Sequence, residues 1–496
     1  ANTSDRSIGA YVQDSWLVLP NLTVDVGLRY EQQVAFNASQ VQGTLSPTGL
    51  PIPAAAFTLN NWAPRIGVNW DPTSEGKSKV FAHYGRFFEN VPMDINVRSF
   101  GGEIDYDGAV NEHGLQPGAA GYDPNCNVDH QAGTNPAIPL ASCTDSDPAA
   151  ALLGAGTDYV APGISGQYTD ELVIGAEYEL LPDLKLGISY THRTLPNVIE
   201  DISPDNGIDF LIANPGQNYD GAAAQLHAQS LAVAATDPTL AATLDQRAGW
   251  LAAVKTFDKP SRNYDAVTLR AEQRPTRQSL LIASYTYSRE LGNYPGLFST
   301  ETNQLDPNVS TEYDLPDLLA NRYGPLGLDR PHSIKLDGFY LFDLARAGSV
   351  TLGTSIRAQS GIAHNVLASH PLYGIGESYL LPRGSEVRSP MTSSIDLHVA
   401  YGRRLSPTLT LEAFVNVFNL LDQQDELNVD ENYTFDNALP IVGGDANDLK
   451  HAKAVNLLPT GQWVTVNRSL TPNLNYDHTT QLTNPRSFQF GLRLTF

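Results

Sequence analysis

The chain has 496 residues, is 41% hydrophobic and carries a net charge of -23. No run of eighteen apolar residues occurs, so no transmembrane helix is expected, but barrel strands, apolar only at every second position, stay open. The acidity argues against a nucleic-acid phosphate backbone as partner and suits a surface that meets divalent cations or cationic ligands.

In chain order, about thirteen segments alternate apolar and polar residues, near 7–19, 22–34, 61–72, 79–91, 166–180, 184–198, 262–273, 278–291, 329–343, 348–360, 391–404, 409–422 and 486–496. In "LTVDVGLRYE", Leu22, Val24, Val26, Leu28 and Tyr30 oppose Thr23, Asp25, Gly27, Arg29 and Glu31. In "LKLGISYTHR", Leu184, Leu186, Ile188 and Tyr190 oppose Lys185, Gly187, Ser189 and Thr191. The last segment, "RSFQFGLRLTF", sets Phe488, Phe490, Leu492, Leu494 and Phe496 against Ser487, Gln489, Gly491, Arg493 and Thr495. Period-two alternation marks a strand with one apolar and one polar face. Globular strands average roughly 5–6 residues, whereas strands that cross a bilayer need about 9–11, and these segments have the longer length.

The connections alternate too. Short ones fall at 20–21, 73–78, 181–183, 274–277, 344–347 and near 406, and long ones at 35–60, 92–165, 199–261, 292–328, 361–390 and 423–485. A soluble sandwich or propeller has no reason to gather every long loop at one end, whereas outer-membrane barrels do so, with short periplasmic turns and long extracellular loops. A soluble barrel also fills its interior with apolar side chains, yet here the minority face carries Arg29, Glu31, Lys185, Glu412 and Arg493. The apolar face must then look outward into lipid. Trp16, Tyr30, Trp70, Tyr178, Tyr190 and Tyr401 lie toward segment ends, as interfacial girdles would. The expected fold is all-β: a transmembrane antiparallel β-barrel with long extracellular loops.

Within the loops, the alanine-rich stretch 221–256 predicts two short helices split at Asp237-Pro238. The loop 92–165 holds ten acidic residues and one base, Arg98, and the remaining Gly, Asp, Pro and Asn content reads as turn-rich coil. The two cysteines, Cys126 and Cys143, share one polar stretch. A disulfide between them, rather than two free thiols, suits an oxidising compartment and would close a loop of about 17 residues, worth roughly 3 kcal/mol in the chain-entropy model. "DPNVSTEYD" (306–314) and "GGDAND" (443–448) cluster oxygen ligands without EF-hand spacing, so ordinary turn chemistry competes there with Ca2+ binding. His364 and His370 share a loop at a spacing that suits no strong metal pattern.

Several of these stretches resemble TonB-dependent outer-membrane receptors. "GAYVQDSWLVLPNLTVDVGLRYE" (9–31) is similar to a paired-strand signature of that family. "NNWAPRIGVNWDP" (60–72), "KVFAHYGRFFENVP" (79–92), "DRPHSIKLDGFYLF" (329–342), "FVNVFNLLD" (414–422) and "NPRSFQFGLRLTF" (484–496) resemble its Oar-like branch. The resemblance touches nearly every strand and few loops. It implies a barrel of 22 strands, a plug inside it, and periplasmic TonB pulling on the plug through a short box. It also implies that Phe496 matches the terminal aromatic read by the barrel-assembly machinery.

The sequence departs from that pattern in having about thirteen strands and no plug or TonB box. An odd count does not close a single-chain bacterial barrel, and two strand edges left unpaired in lipid cost several kcal/mol per orphaned backbone group. Residues 1–496 are therefore expected to be the C-terminal portion of one barrel domain. The plug and about nine strands would come from another piece of the same protein, including the case of a separate chain.

Motifs for metalloprotease, hydrolase, P-loop or CxxC chemistry are missing from the sequence, and no enzyme activity or cofactor is expected. Arg29, Arg65, Lys185, Arg193, Arg270 and Arg493 are candidates to line a solute path. The competing reading pairs them with Asp25, Glu31, Glu177, Glu272 and Glu412, or has them brace a plug, since wide barrels need polar filling in any case. The expected function is TonB-dependent import across the bacterial outer membrane. Long extracellular loops would capture a solute of peptide or protein size, a surface lipoprotein would be a candidate partner, and the C-terminus would be periplasmic. The alternatives are a passive porin-like channel and a non-transporting surface barrel used for adhesion or assembly.

Overall fold

Each of the thirteen expected segments is a strand in the computed structural model, which describes residues 3–39, 41–45, 50–101, 158–204, 210–296, 311–457 and 463–496. The strands are β1 (Ser4–Leu19), β2 (Leu22–Phe36), β3 (Ala55–Trp70), β4 (Ser78–Phe88), β5 (Tyr168–Leu181), β6 (Leu184–Asn197) and β7 (Arg262–Gln273). They continue as β8 (Ser279–Gly292), β9 (His332–Asp343), β10 (Ser349–Gln359), β11 (Thr392–Arg404), β12 (Thr410–Phe418) and β13 (Ser487–Thr495). Neighbours in sequence are neighbours in one sheet, with no crossover, and every such pair is antiparallel. Among the described residues, β1 and β13 each pair along one edge only.

The register keeps the two faces apart across strands. One row runs Trp16, Val24, Val68, Ala82, Ile174, Tyr190, Val267, Tyr287 and His332, each Cα partnered with the next. A slip of one residue in any pair would turn that strand's apolar set onto the polar face. No described element covers the apolar face. Ile188 is 52% exposed and Leu269 48%, although both sit well inside the sheet. A water-soluble sheet would bury such a row beneath a second layer, so the face is built for hydrocarbon. Trp16, Trp70, Tyr178 and Tyr401 stand on it near the short turns, and Tyr30 and Tyr190 stand farther along it.

On the polar face, two glycines answer aromatic rings on the next strand. Phe81 opposes Gly175 and Phe414 opposes Gly491. A Cβ on Gly491 would meet three Phe414 ring atoms at 2.1 to 2.7 Å, so the ring occupies the space a side chain would need. The short turns are tied locally. The Asp71 carboxylate accepts from the Gly76 amide at 2.7 Å and from the Thr73 and Ser78 hydroxyls at 2.7 and 2.6 Å. Those hydroxyls, Ser78 first, hold its pKa well below the usual carboxylate range.

The buried core lies at the other end. The long connections leave the sheet there, and their described residues pack into three apolar clusters, a canopy at the long-loop end. One joins Ala35, Phe57 and Leu59, polar-face positions at strand ends, to Val91, Ile95 and Phe100. Helix α1 (Met93–Phe100), not foreseen from sequence, supplies the last two. The expected helix pair is present as α2 (Asp220–Val233) and α3 (Pro238–Ala253). Asp237 caps α3 by accepting from the Leu240 amide at 3.0 Å, and Pro238 opens it without forfeiting a hydrogen bond. The turn-rich coil expected elsewhere is corrected: Leu367–His370 pairs with Gly374–Tyr379 and, in parallel, with Asn432–Asn437. Strands this short carry too little alternation to be read from the sequence.

Candidate functional site

Strand parity places all six candidate basic residues on the polar face, and the structure shows what each touches. Arg29 pairs with Glu31, its Nε donating to Oε1 at 2.6 Å. Arg270 lies 3.5 Å from Glu272, which also takes Arg274 at 3.4 Å, and Arg493 lies 3.3 Å from Glu412. Arg193 pairs with Glu171, an acid outside the expected set. Asp25, another expected partner, accepts instead from the Ser15 hydroxyl at 2.6 Å. The guanidinium of Arg65 stacks over the Phe87 ring at 4.9 Å. Lys185 opposes Glu272 and Glu179 in register, yet forms no ion pair among the described residues.

These pairs are open to solvent; the side chains of Arg270 and Arg493 are 54% and 67% exposed. Each is worth about 0–1 kcal/mol. They are spread over β2, β3, β6, β7 and β13 and do not converge on one point. A polar-face groove of about 380 Å³ across β8 to β12 is lined partly by Leu280, Ile282, Phe339 and Phe418, beside Asp337 and His398. Arg357 donates to both oxygens of Asp337 at 2.7 and 3.0 Å. This face thus offers apolar islands between charged pairs.

Above it, the canopy holds a buried charge group that the sequence reading missed. Arg322 is 1% exposed, lies 3.0 Å from Glu312 and 3.2 Å from Glu377, and donates to the Leu318 carbonyl at 2.8 Å. Burial opposes its charge, but Glu312, Tyr379 and Glu377 outweigh burial and hold its pKa above the ordinary value. Asp314 is also buried, and burial together with nearby Asp201 lifts its pKa well above the carboxylate range. The rings of Tyr294 and Tyr313 lie 6.2 Å apart, tilted by 59°, beside this group, and burial raises both phenols. The signal was available: Arg322 is the single base between Arg289 and Arg330, in a stretch rich in acids.

Cys126, Cys143 and residues 306–310 of the acidic 306–314 stretch lie outside the described residues. In 443–448, the Asp445 amide donates to Asp448 at 2.9 Å and the Asn447 amide to Asp445 at 2.7 Å, so both carboxylates serve the turn. Among the described residues no three His, Cys, Asp or Glu side chains gather to hold a metal. Phe496 is 94% exposed and extends the apolar row of β13.

A family model described as the outer membrane beta barrel domain matches residues 1–355. The TonB-dependent transporter Oar of Myxococcus xanthus is 34% identical over 512 aligned residues, covering 100% of this chain and 43% of that protein. The chain thus spans less than half the length of that curated relative. Among solved structures, the FrpB iron transporter from Neisseria meningitidis aligns at 10% identity and a TM-score of 0.44, over 86% of this chain and 42% of its own. The outer membrane transporter YddB from Escherichia coli aligns at 10% identity and a TM-score of 0.43, over 99% of this chain and 54% of its own.

Proposed function

The chain belongs to the outer membrane β-barrel domain family, and we propose that it forms the larger part of the wall of a TonB-dependent transporter of the bacterial outer membrane. The observation that carries this reading is the sheet's two-sidedness, apolar and uncovered on one face, ionic on the other, with every long loop at one end. Placed in a membrane by the barrel rule of short periplasmic and long external connections, the canopy stands outside the cell and the C-terminus inside. The single unpaired edges of β1 and β13 take up the remaining strands of the same protein, in one polypeptide or in a second chain.

The half-exposed ion pairs and apolar islands of the polar face suit a plug that packs there reversibly, because neither commits much energy to the wall. The canopy captures the solute, its binding loosens the plug, and TonB opens the path. So large a canopy fits a ligand of peptide or protein size, or a partner lipoprotein. The test is uptake of labelled peptides by cells that make the full-length protein, with TonB present or deleted. Uptake that requires TonB supports the reading. Uptake that persists without TonB makes the protein a passive channel, and loop-dependent adhesion without uptake makes it a surface display barrel.

A further inference from the structure

Polar side chains enter the apolar face near the long loops, as where Arg86 donates to both oxygens of Asp170. Where β6, β7 and β8 approach the long loops, the face carries a groove of about 440 Å³ whose lining includes His192, Asn263, Asp265, Arg289 and Tyr323. His192 opposes Asp265, and Asp265 opposes Arg289, in a single row. The next row down is Tyr190, Val267 and Tyr287, and the one below it is Ile188, Leu269 and Tyr285. Arg289 lies three residues from the end of β8 at Gly292. At about 3.4 Å per residue and a tilt near 45°, it stands about 7 Å below the strand end. The polar row therefore caps the apolar band, at the level where headgroups meet acyl chains.

The charges in this row are not equivalent. Asp265 is engaged, accepting from the Tyr190 hydroxyl at 2.6 Å and contacting His192 Nδ1 at 2.8 Å. Arg289 is exposed, and its guanidinium has neither an ion pair nor a hydrogen bond among the described residues. A guanidinium on a lipid-facing surface is costly unless it meets water or an anion. Arg289 offers a planar fork that matches a phosphate. A bare phosphodiester alone is a poor match, since Asp265 would repel it, whereas sugar hydroxyls would donate to Asp265 and Asn263. The exposed Tyr323 ring offers a wall for a sugar face.

We propose that this groove binds the headgroup of a phosphorylated glycolipid from the leaflet on the long-loop side. Arg289 takes the phosphate, Asn263 and Asp265 the sugar hydroxyls, and Val267 and Leu269 lie under the acyl chains. The assignment rests on the loops-outward membrane reading above, and the experiment separates the two. The full-length protein and its Arg289→Gln variant are placed in phosphatidylcholine nanodiscs that contain lipid A, dephosphorylated lipid A or phosphatidylglycerol. Heat-modifiable migration reports assembly, and native mass spectrometry reports the lipid retained.

The expected result is lipid A retained by the assembled wild type, with at least a tenfold loss in Arg289→Gln and little retention of the other two lipids. Equal retention by both proteins overturns the assignment, as does phosphatidylglycerol or dephosphorylated lipid A held as well as lipid A. An assembled wild type that retains no lipid A also overturns it while leaving the transporter reading intact. Failure of the wild type to assemble in the bilayer overturns both.

Discussion

Two adjacent residues of β7 test the orientation of the wall. Leu269 faces outward between Ile188 and Tyr285, and Arg270 faces the polar side opposite Gly187. Leu269 lies four residues from the short-turn end of β7 at Gln273 and seven from its other end at Arg262. At about 3.4 Å per residue and a tilt near 45°, that puts it roughly 10 Å into a band about 25 Å tall, close to the midplane. Its row neighbours and their diagonals, Leu186, Tyr190, Ala283 and Tyr287, include no acid that could pair with a new cation. Leu269→Arg should therefore cost the full midplane penalty of about 2–4 kcal/mol, roughly a 30- to 700-fold shift in the folding equilibrium. Arg270→Leu removes one contact of 3.5 Å from a guanidinium that is 54% exposed and should cost no more than about 1 kcal/mol. The assay is urea unfolding of the full-length protein in lipid vesicles, read by tryptophan fluorescence and heat-modifiable migration. Equal tolerance of the two changes, or a larger cost for Arg270→Leu, would refute the assignment of lipid to the Leu269 face.

The remaining predictions concern packing and pH. Gly491→Val should destabilise the β12–β13 pair by about 1–3 kcal/mol through overpacking against Phe414, and a double-mutant cycle should show much of that cost relieved by Phe414→Ala. The raised pKa of Asp314 favours its neutral form, so its contribution is present in full below the ordinary value of 3.8 and is lost as pH rises through the raised one. Asp314→Asn should accordingly protect amides 311–329 from hydrogen exchange at neutral pH and flatten their pH dependence. Asp436 has the opposite sign: the Arg468 fork, at 2.8 Å to each carboxylate oxygen, lowers its pKa to about 2. Its stabilisation, about 1 kcal/mol or less because Arg468 is half exposed, should be present above pH 3.8 and fade toward pH 2; acid titrations of the wild type and Asp436→Asn check it.

The wall was legible because period-two alternation over nine to sixteen residues has no competing explanation. The α2–α3 pair was legible from alanine content and from Asp237 followed by Pro238, which both ends and starts a helix. The canopy was not. Leu367–His370 finds its parallel partner some sixty residues later in Asn432–Asn437, and nothing in four residues encodes that pairing. The same limit applies to charge. Which acid each arginine meets depends on register, and so Arg193 takes Glu171, its partner across the β5–β6 pair and an acid outside the expected set. Arg322 stands out in the sequence as a lone base, but its burial depends on Glu377, from a different loop.

The two halves of the molecule are held by different solvents, and this bears on how an outer-membrane β-barrel domain of this kind can vary. In the wall, the strand ladders and the hydrocarbon contact of residues such as Ile188, Ile174 and Leu269 supply the stability, while the polar face contributes exposed pairs of small net worth. The canopy is ordered as a water-soluble domain is, by clusters of buried apolar residues around the Arg322 group. A substitution on the polar face or in a loop therefore leaves the outward row that fixes the register untouched. Substitutions can rewrite those surfaces without unmaking the wall, which fits a sequence resemblance that follows the strands and fades in the loops.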